Sequence, residues 1–239
     1  MLVSIANKMK TIKFGKSVEG RDLVGYVFAK RVQLPTFLIL ATVHGDEIEG
    51  WWLADHFKNT WKKDFPYLNV QVVLVPEINP DGFALKTRTN ASGVDLNRNL
   101  PTKDWDSKFS DKQYYPGLFA LSEQESVALV GLIEKYKPLG ILTLHSYSQP
   151  QINANGYEES GVVAFARALQ EISSYKKITM GDEIGYATPG CLGTYAGYER
   201  GIPTVTYEMP RGASKDKILL ENIVVIERAV EYFNNRSTE

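Results

Sequence analysis

The chain has 239 residues, 44% of them hydrophobic and 23% charged, and its net charge is −1. That is the composition of an ordinary soluble globular protein of one domain, and it excludes both a disordered chain and a polyanion-coating one, so no nucleic-acid partner is expected. The single cysteine, Cys191, excludes an intramolecular disulfide and a cysteine-rich zinc cluster, so any metal site must be built from His, Asp and Glu.

The N-terminal stretch "MLVSIANKMKTIKFGKSVEGRDL" has an apolar run too short for a signal peptide, and no run approaches the roughly 18 apolar residues of a membrane span. The expectation is a cytoplasmic protein with no membrane partner. "TFLILATV" (Thr36 to Val43) reads as a buried strand, followed by a helix through "EGWWLADHFKNTW". His56 lies inside that amphipathic stretch and reads as structural. "VQVVLVP" (Val70 to Pro76) is a second strand, and "NPDG" after it is a turn by composition. Pro101 to Phe119 and Pro150 to Ser160 read as irregular surface segments. Ser122 with Glu125 predicts a capping box ahead of "SVALVGLIEKY", which Pro138 closes. "GILTLHSY" and "IPTVTYEMP" are two more strands. Ser214 caps a last helix whose Ile218, Leu219, Ile226, Ala229, Val230 and Phe233 share an apolar face. This alternation of strands and helices predicts an α/β protein.

Every one of these apolar strands delivers a chemically capable residue near its C-terminal end: His44 and Glu47, then Asn79 and Asp81, then His145, then Glu208. Ligands of open α/β sheets bind beyond the carboxyl ends of the strands, which predicts one shared cleft. Catalytic zinc commonly takes three protein ligands from His and carboxylates, and His44, Glu47 and His145 supply such a set. A metal of this kind acidifies water and polarises a carbonyl, which is what amide hydrolysis needs. Glu208 is the candidate carboxylate for taking a proton from water and returning it to the leaving amine. The H-x-x-E spacing of His44 and Glu47 is by itself unspecific. What raises its weight is "KTRTNASGVDLNRNLP", where Arg88, Asp95, Asn97 and Arg98 share one polar segment. A guanidinium pairs bidentately with a carboxylate, so neutralising a substrate's terminal carboxylate is the job these arginines suit.

The ordered set "HGDE", "NPDGF", "TRTNASGVDLNRN", "LHSYSQ" and "TYE" resembles the zinc carboxypeptidase family of the funnelin type, relatives of pancreatic carboxypeptidase A, from about Gly15 to Glu208. The resemblance implies a single domain over 1–239, a three-layer α/β/α arrangement around a central mixed, mostly parallel twisted sheet. It implies one zinc ion (Zn2+) on His44, Glu47 and His145, with Glu208 as general base and acid. Arg88 would stabilise the oxyanion, Asn97 and Arg98 would hold the terminal carboxylate, and Asp95 would orient His44. Tyr186 would close over the substrate, with Tyr195 and Tyr198 as rivals. Leu192 and Gly193, in "GCLG", would occupy the place of the family's selector residue, with Cys191 in the pocket wall and Asp182, Glu183, Glu199 and Arg200 nearby. A cis bond between Ser146 and Tyr147 is a further expectation.

"GYATPGCLGTYAGYERGIPTVTYEMP" is most similar to the murein peptide amidase branch, which cuts the γ-D-glutamyl-diaminopimelate bond of cell-wall peptides during recycling. The second histidine departs from that branch, standing in "HSYSQP". The expected partner is a small peptide with a free C-terminal carboxylate. The alternatives are a D,L- or general carboxypeptidase, an N-acyl amino acid deacylase, or a non-catalytic muropeptide-binding protein.

Overall fold

A computed structural model describes residues 8–236, apart from the side chains of Lys8 and Asp182. The reading of the N-terminus as free of a targeting segment rests partly on residues 1–7 and lies outside the described residues. Among the described residues, no helix is long and apolar enough to cross a membrane.

Eight strands form one sheet: β1 (Lys8–Lys16), β2 (Asp22–Ala29), β3 (Thr36–Ala41), β4 (Gln71–Val75), β5 (Gly140–Tyr147), β6 (Gln151–Asn155), β7 (Ile178–Met180) and β8 (Thr204–Pro210). Their spatial order is β1-β2-β4-β3-β5-β8-β6-β7. The centre, β4-β3-β5-β8, is parallel, and antiparallel pairs flank it on both sides. Parallel central strands are buried on both faces, which is why "TFLILA" and "GILTLH" run apolar without alternation.

Successive side chains point to opposite faces. Phe37, Ile39, Leu142 and Leu144 therefore pack on one side with α1 (Ile48–Lys63), α4 (Val162–Ile172) and α5 (Lys215–Arg236). Leu38, Leu40, Val73, Val75 and Ile141 pack on the other side with α3 (Gln124–Tyr136) and the π-helical turn Gly193–Tyr198. The result is the expected three-layer α/β/α arrangement. In α5, Ile218, Ile226, Ala229, Val230 and Phe233 are buried, and the Ser214 hydroxyl accepts from Lys217 N at 3.4 Å.

Several local expectations are corrected. "NPDG" opens a short helix, α2 (Pro80–Leu85), because Asn79 Oδ1 accepts from Gly82 N at 2.8 Å and Pro80 stands at the first helical position. The capping box at Ser122 does not form. Ser122 Oγ donates to Glu123 Oε1 at 2.7 Å, while the buried Glu125 carboxylate accepts from Val18 N at 3.1 Å. The segment Pro150 to Ser160 is not all irregular, since β6 occupies Gln151–Asn155. The Ser146–Tyr147 bond is trans, for there is no cis peptide among the described residues.

Candidate active site

After β3 the chain turns through Thr42, whose φ of 53° is costly for a β-branched residue, into "VHGDE". Gly45 lets this loop seat against α2. A Cβ at that position would lie 2.0 Å from the carbonyl carbon of Gly82 and 2.3 Å from Phe83 N. The seated loop presents His44, and Glu47 ends it as the residue before α1. Asn79 and Asp81, expected in the same cleft, do not line it. Asn79 caps α2, and the buried Asp81 accepts from Ser17 Oγ at 2.7 Å and Glu19 N at 3.0 Å.

His44, Glu47 and His145 are buried and converge, with one ligand atom from each lying within 4.8 Å of the others. His44 Nδ1 is 2.7 Å from Glu47 Oε1, His145 Nδ1 is 2.9 Å from Glu47 Oε2, and the two Nδ1 atoms are 3.2 Å apart. Two ring nitrogens that face each other so closely repel unless a proton or cation lies between them. On the far side of the first ring, His44 Nε2 is 3.2 Å from Asp95 Oδ1. That contact places the neutral ring's proton on Nε2 and leaves Nδ1 as an electron-pair donor. Two imidazole nitrogens and one carboxylate are a donor set that suits zinc, so the residues fit the ion.

Asp95 is fully buried and serves several partners. Arg88 donates to its Oδ2 through Nε at 3.0 Å and Nη2 at 2.9 Å, and Asn97 N donates to its Oδ1 at 2.9 Å. Burial alone would raise this carboxyl, but the charge of Arg88 and the hydrogen bond from His44 outweigh it and hold Asp95 well below the usual range. Arg88 in turn comes within 3.6 Å of Glu47.

Glu208 stands opposite His145 in the β5–β8 register. Burial pushes its carboxyl up to about 7, Glu47 adds to the rise, and His145, Arg88 and Arg211 oppose it. A carboxyl in that range can give and take a proton near neutrality. His44, Glu47, His145 and Glu208 line one cavity of about 140 Å³ together with Arg88, Asn97, Arg98, Tyr186 and Gly193. Arg98 Nη1 donates to Asn97 O at 2.7 Å, and Asn97 Oδ1 accepts from Leu192 N at 2.9 Å.

The remaining pocket expectations sort by where the side chains point. Leu192 is buried in the apolar cluster beneath α3 while its neighbours Cys191 and Gly193 line the cavity, so Leu192 is not a pocket residue and Cys191 stands in the pocket wall as expected. A Cβ at Gly193 would lie 2.3 Å from Asn155 Oδ1. Tyr195 is fully buried and Tyr198 packs edge-on against Tyr157, which leaves Tyr186, partly exposed, as the cavity's tyrosine of the three. Glu183 accepts from Met180 N, Glu199 accepts from Lys103 N, and Arg200 lies over the Tyr195 ring; none of these lines the cavity, and the Asp182 side chain lies outside the described residues. His56 packs edge-on against Phe57, away from the site.

Four features of the cavity escape a reading of the sequence. Tyr114 lies under the guanidinium groups of Arg88 and Arg98, 5.1 and 5.8 Å from their central carbons to the ring centre. Asn153 and Asn155 alternate onto the cavity from β6, a strand hidden by its amide-rich sequence. Thr206 faces it two residues before Glu208. Arg211 lines it as well and forms an ion pair with Asp46, a residue to which the sequence assigns no role.

A buried two-histidine, one-carboxylate site beside a raised glutamate, on an α/β/α sheet, is the arrangement of a metallohydrolase. The sequence matches the zinc carboxypeptidase family, peptidase M14, over residues 3–232, and the chain belongs to that family of peptide-bond hydrolases. Murein peptide amidase A of Vibrio campbellii is 29% identical over 211 residues, covering 82% of this chain and 78% of that protein. The Escherichia coli K12 protein of the same name is 28% identical over 211 residues, covering 84% and 81%. The solved carboxypeptidase A from Helicoverpa armigera shares the fold with a TM-score of 0.76 at 19% identity, over 97% of this chain and 70% of that one. The murein-tripeptide amidase structure from Escherichia coli O157 does so with a TM-score of 0.64 at 24% identity, over 92% and 90%.

Proposed function

We propose that this chain, acting as one catalytic unit over residues 1–239, is a cytoplasmic zinc-dependent amidase that removes the C-terminal residue of a small peptide. In this reading the substrate is the γ-D-glutamyl-meso-diaminopimelate bond of murein peptides, cut during cell-wall recycling. The observation that carries the hydrolytic part is the convergence of His44, Glu47 and His145 with Glu208 on a cavity that also holds Asn97 and Arg98.

One zinc ion, held by His44, Glu47 and His145, would supply a Lewis acid that acidifies water and polarises the amide carbonyl. Glu208 takes the proton of the attacking water and returns it to the leaving amine. Arg88, fixed by two N–H donors to Asp95, points a positive charge at the developing oxyanion. Asn97 and Arg98 hold the terminal carboxylate, and Tyr186 covers the bound peptide.

Two findings support diaminopimelate as the departing residue. The Vibrio campbellii and Escherichia coli relatives, matched over most of their length, are murein peptide amidases. The cavity also presents Asn153, Asn155 and Thr206 beside Gly193, a hydrogen-bonding wall suited to a side chain with an amine and a carboxylate. The test is hydrolysis by the zinc-loaded protein of L-Ala-γ-D-Glu-meso-diaminopimelate, beside a hippuryl-amino-acid panel and an N-acetyl-amino-acid panel. Preferred release of diaminopimelate is expected. Preferred turnover of either panel would move the substrate to a general carboxypeptidase or a deacylase.

A further inference from the structure

Arg211 is the cation of the cavity that this mechanism leaves unused. It follows β8, donates its backbone N–H to Tyr147 O at 3.2 Å, and places its guanidinium in an ion pair with Asp46 and 4.0 Å from Glu47. The side chain is 43% exposed, so the pair is open to solvent and its charge is available to a ligand. A guanidinium carries five N–H donors, and one carboxylate oxygen does not exhaust them.

Two grooves leave the cavity and give it a direction. One, of about 450 Å³, shares Arg98, Tyr114 and Tyr186 with it. The other, of about 620 Å³, shares Arg88 and Gln113 with it and is lined by Asp46. In the amidase reading, the first groove borders Arg98, where the terminal carboxylate would sit, which leaves the second groove, bordered by Arg88 and Asp46, for the rest of the peptide. Arg211 lines the cavity and pairs with Asp46, which lines that second groove, so its guanidinium lies between the two.

We propose that Arg211 is a specificity residue that leaves Asp46 to pair with a carboxylate on the residue preceding the C-terminal one. The inference rests on the amidase reading above and deepens it. A γ-linked glutamyl group carries a free α-carboxylate close to the scissile carbonyl, whereas an α-linked neutral residue has none. Asp46 then acts as a placeholder that keeps the guanidinium neutralised and oriented until an anionic acyl group displaces it.

The test uses the zinc-loaded protein and two substrates of equal size, L-Ala-γ-D-Glu-meso-diaminopimelate and its analogue with the glutamyl α-carboxylate converted to the carboxamide. The readout is the ratio of kcat/KM for the acid over the amide, with zinc content measured for every variant. Arg211→Gln is expected to lower that ratio at least ten-fold, Arg211→Lys to retain part of it, and Asp46→Asn to keep or enlarge it because the competitor is gone. A purely structural ion pair would make Arg211→Gln and Asp46→Asn fail alike. Parallel falls in the ratio for those two variants, or an unchanged ratio in Arg211→Gln, would overturn the inference while leaving the amidase reading intact. A wild-type protein that cleaves neither substrate would overturn the amidase reading and this inference with it.

Discussion

His145 and Glu208 are direct partners across the parallel strands β5 and β8, so the backbone ladder itself sets a proposed metal ligand beside the proposed proton carrier. Side chains at one register position of neighbouring strands share a face of the sheet. Replacing Glu208 by Gln keeps the shape and removes the proton acceptor. Turnover should fall by about 10² to 10⁴-fold, with zinc content by elemental analysis unchanged. Near-wild-type turnover would remove Glu208 from the mechanism.

Asp95 holds His44 Nε2 with one oxygen and Arg88 with the other. Asp95→Asn weakens both grips at once. The expected outcome is a loss of zinc affinity of about 10 to 100-fold, read by competition with a chelator, and a fall in kcat because Arg88 is no longer fixed. An unchanged zinc affinity would show that Asp95 does not control the metal site.

Gly45 rests on the backbone of Gly82 and Phe83, and neither can move aside as a flexible side chain could. Gly45→Ala should therefore destabilise the protein by about 1 to 3 kcal/mol. For a chain of this length that is a fall in Tm of roughly 2 to 4 °C per kcal/mol, readable by calorimetry. It should also lower zinc affinity, since the displaced loop carries His44.

Asp81 gives a prediction in pH. Burial raises its pKa, but the Glu19 N–H, the Ser17 hydroxyl and Arg21 outweigh burial and hold it below its ordinary value. A carboxylate whose folded pKa is depressed stabilises the protein above its unfolded pKa of about 3.9, and this stabilisation is lost as pH falls through the folded value. Asp81→Asn should cost about 1.5 to 3 kcal/mol near pH 7, with the cost shrinking toward pH 3, as measured by urea unfolding. A cost independent of pH would assign the effect to packing instead of charge.

Phe37 is fully buried against Phe165 and Phe233, with ring centres 5.9 and 4.6 Å away. Phe37→Ala opens a cavity between β3 and the α4–α5 layer, and a loss of about 3 to 5 kcal/mol is expected in the same unfolding measurement. A loss below 1 kcal/mol would mean that this layer repacks freely.

The sequence by itself determined the parallel centre of the sheet and the residues at its strand ends. Strands buried on both faces need unbroken apolar runs, and His44, Glu47, His145 and Glu208 interrupt or follow such runs where only a site tolerates them. It also held the Asn97–Arg98 pair, legible through its polar segment. Tertiary structure alone decided what depends on which way a side chain points and what it meets. Leu192 turns into the core while Gly193 faces the cavity, although they are neighbours in "GCLG". The amide-rich β6 is a strand because β8 and β7 pair with it on either side, which outweighs its poor strand propensity and brings Asn153 and Asn155 to the cavity. The Ser122–Glu125 spacing suggested a cap, yet Glu125 is taken by Val18, more than a hundred residues away in the chain. Asp46 gained a partner only when the turn after β8 carried Arg211 to it, a contact across 165 positions that no local pattern contains.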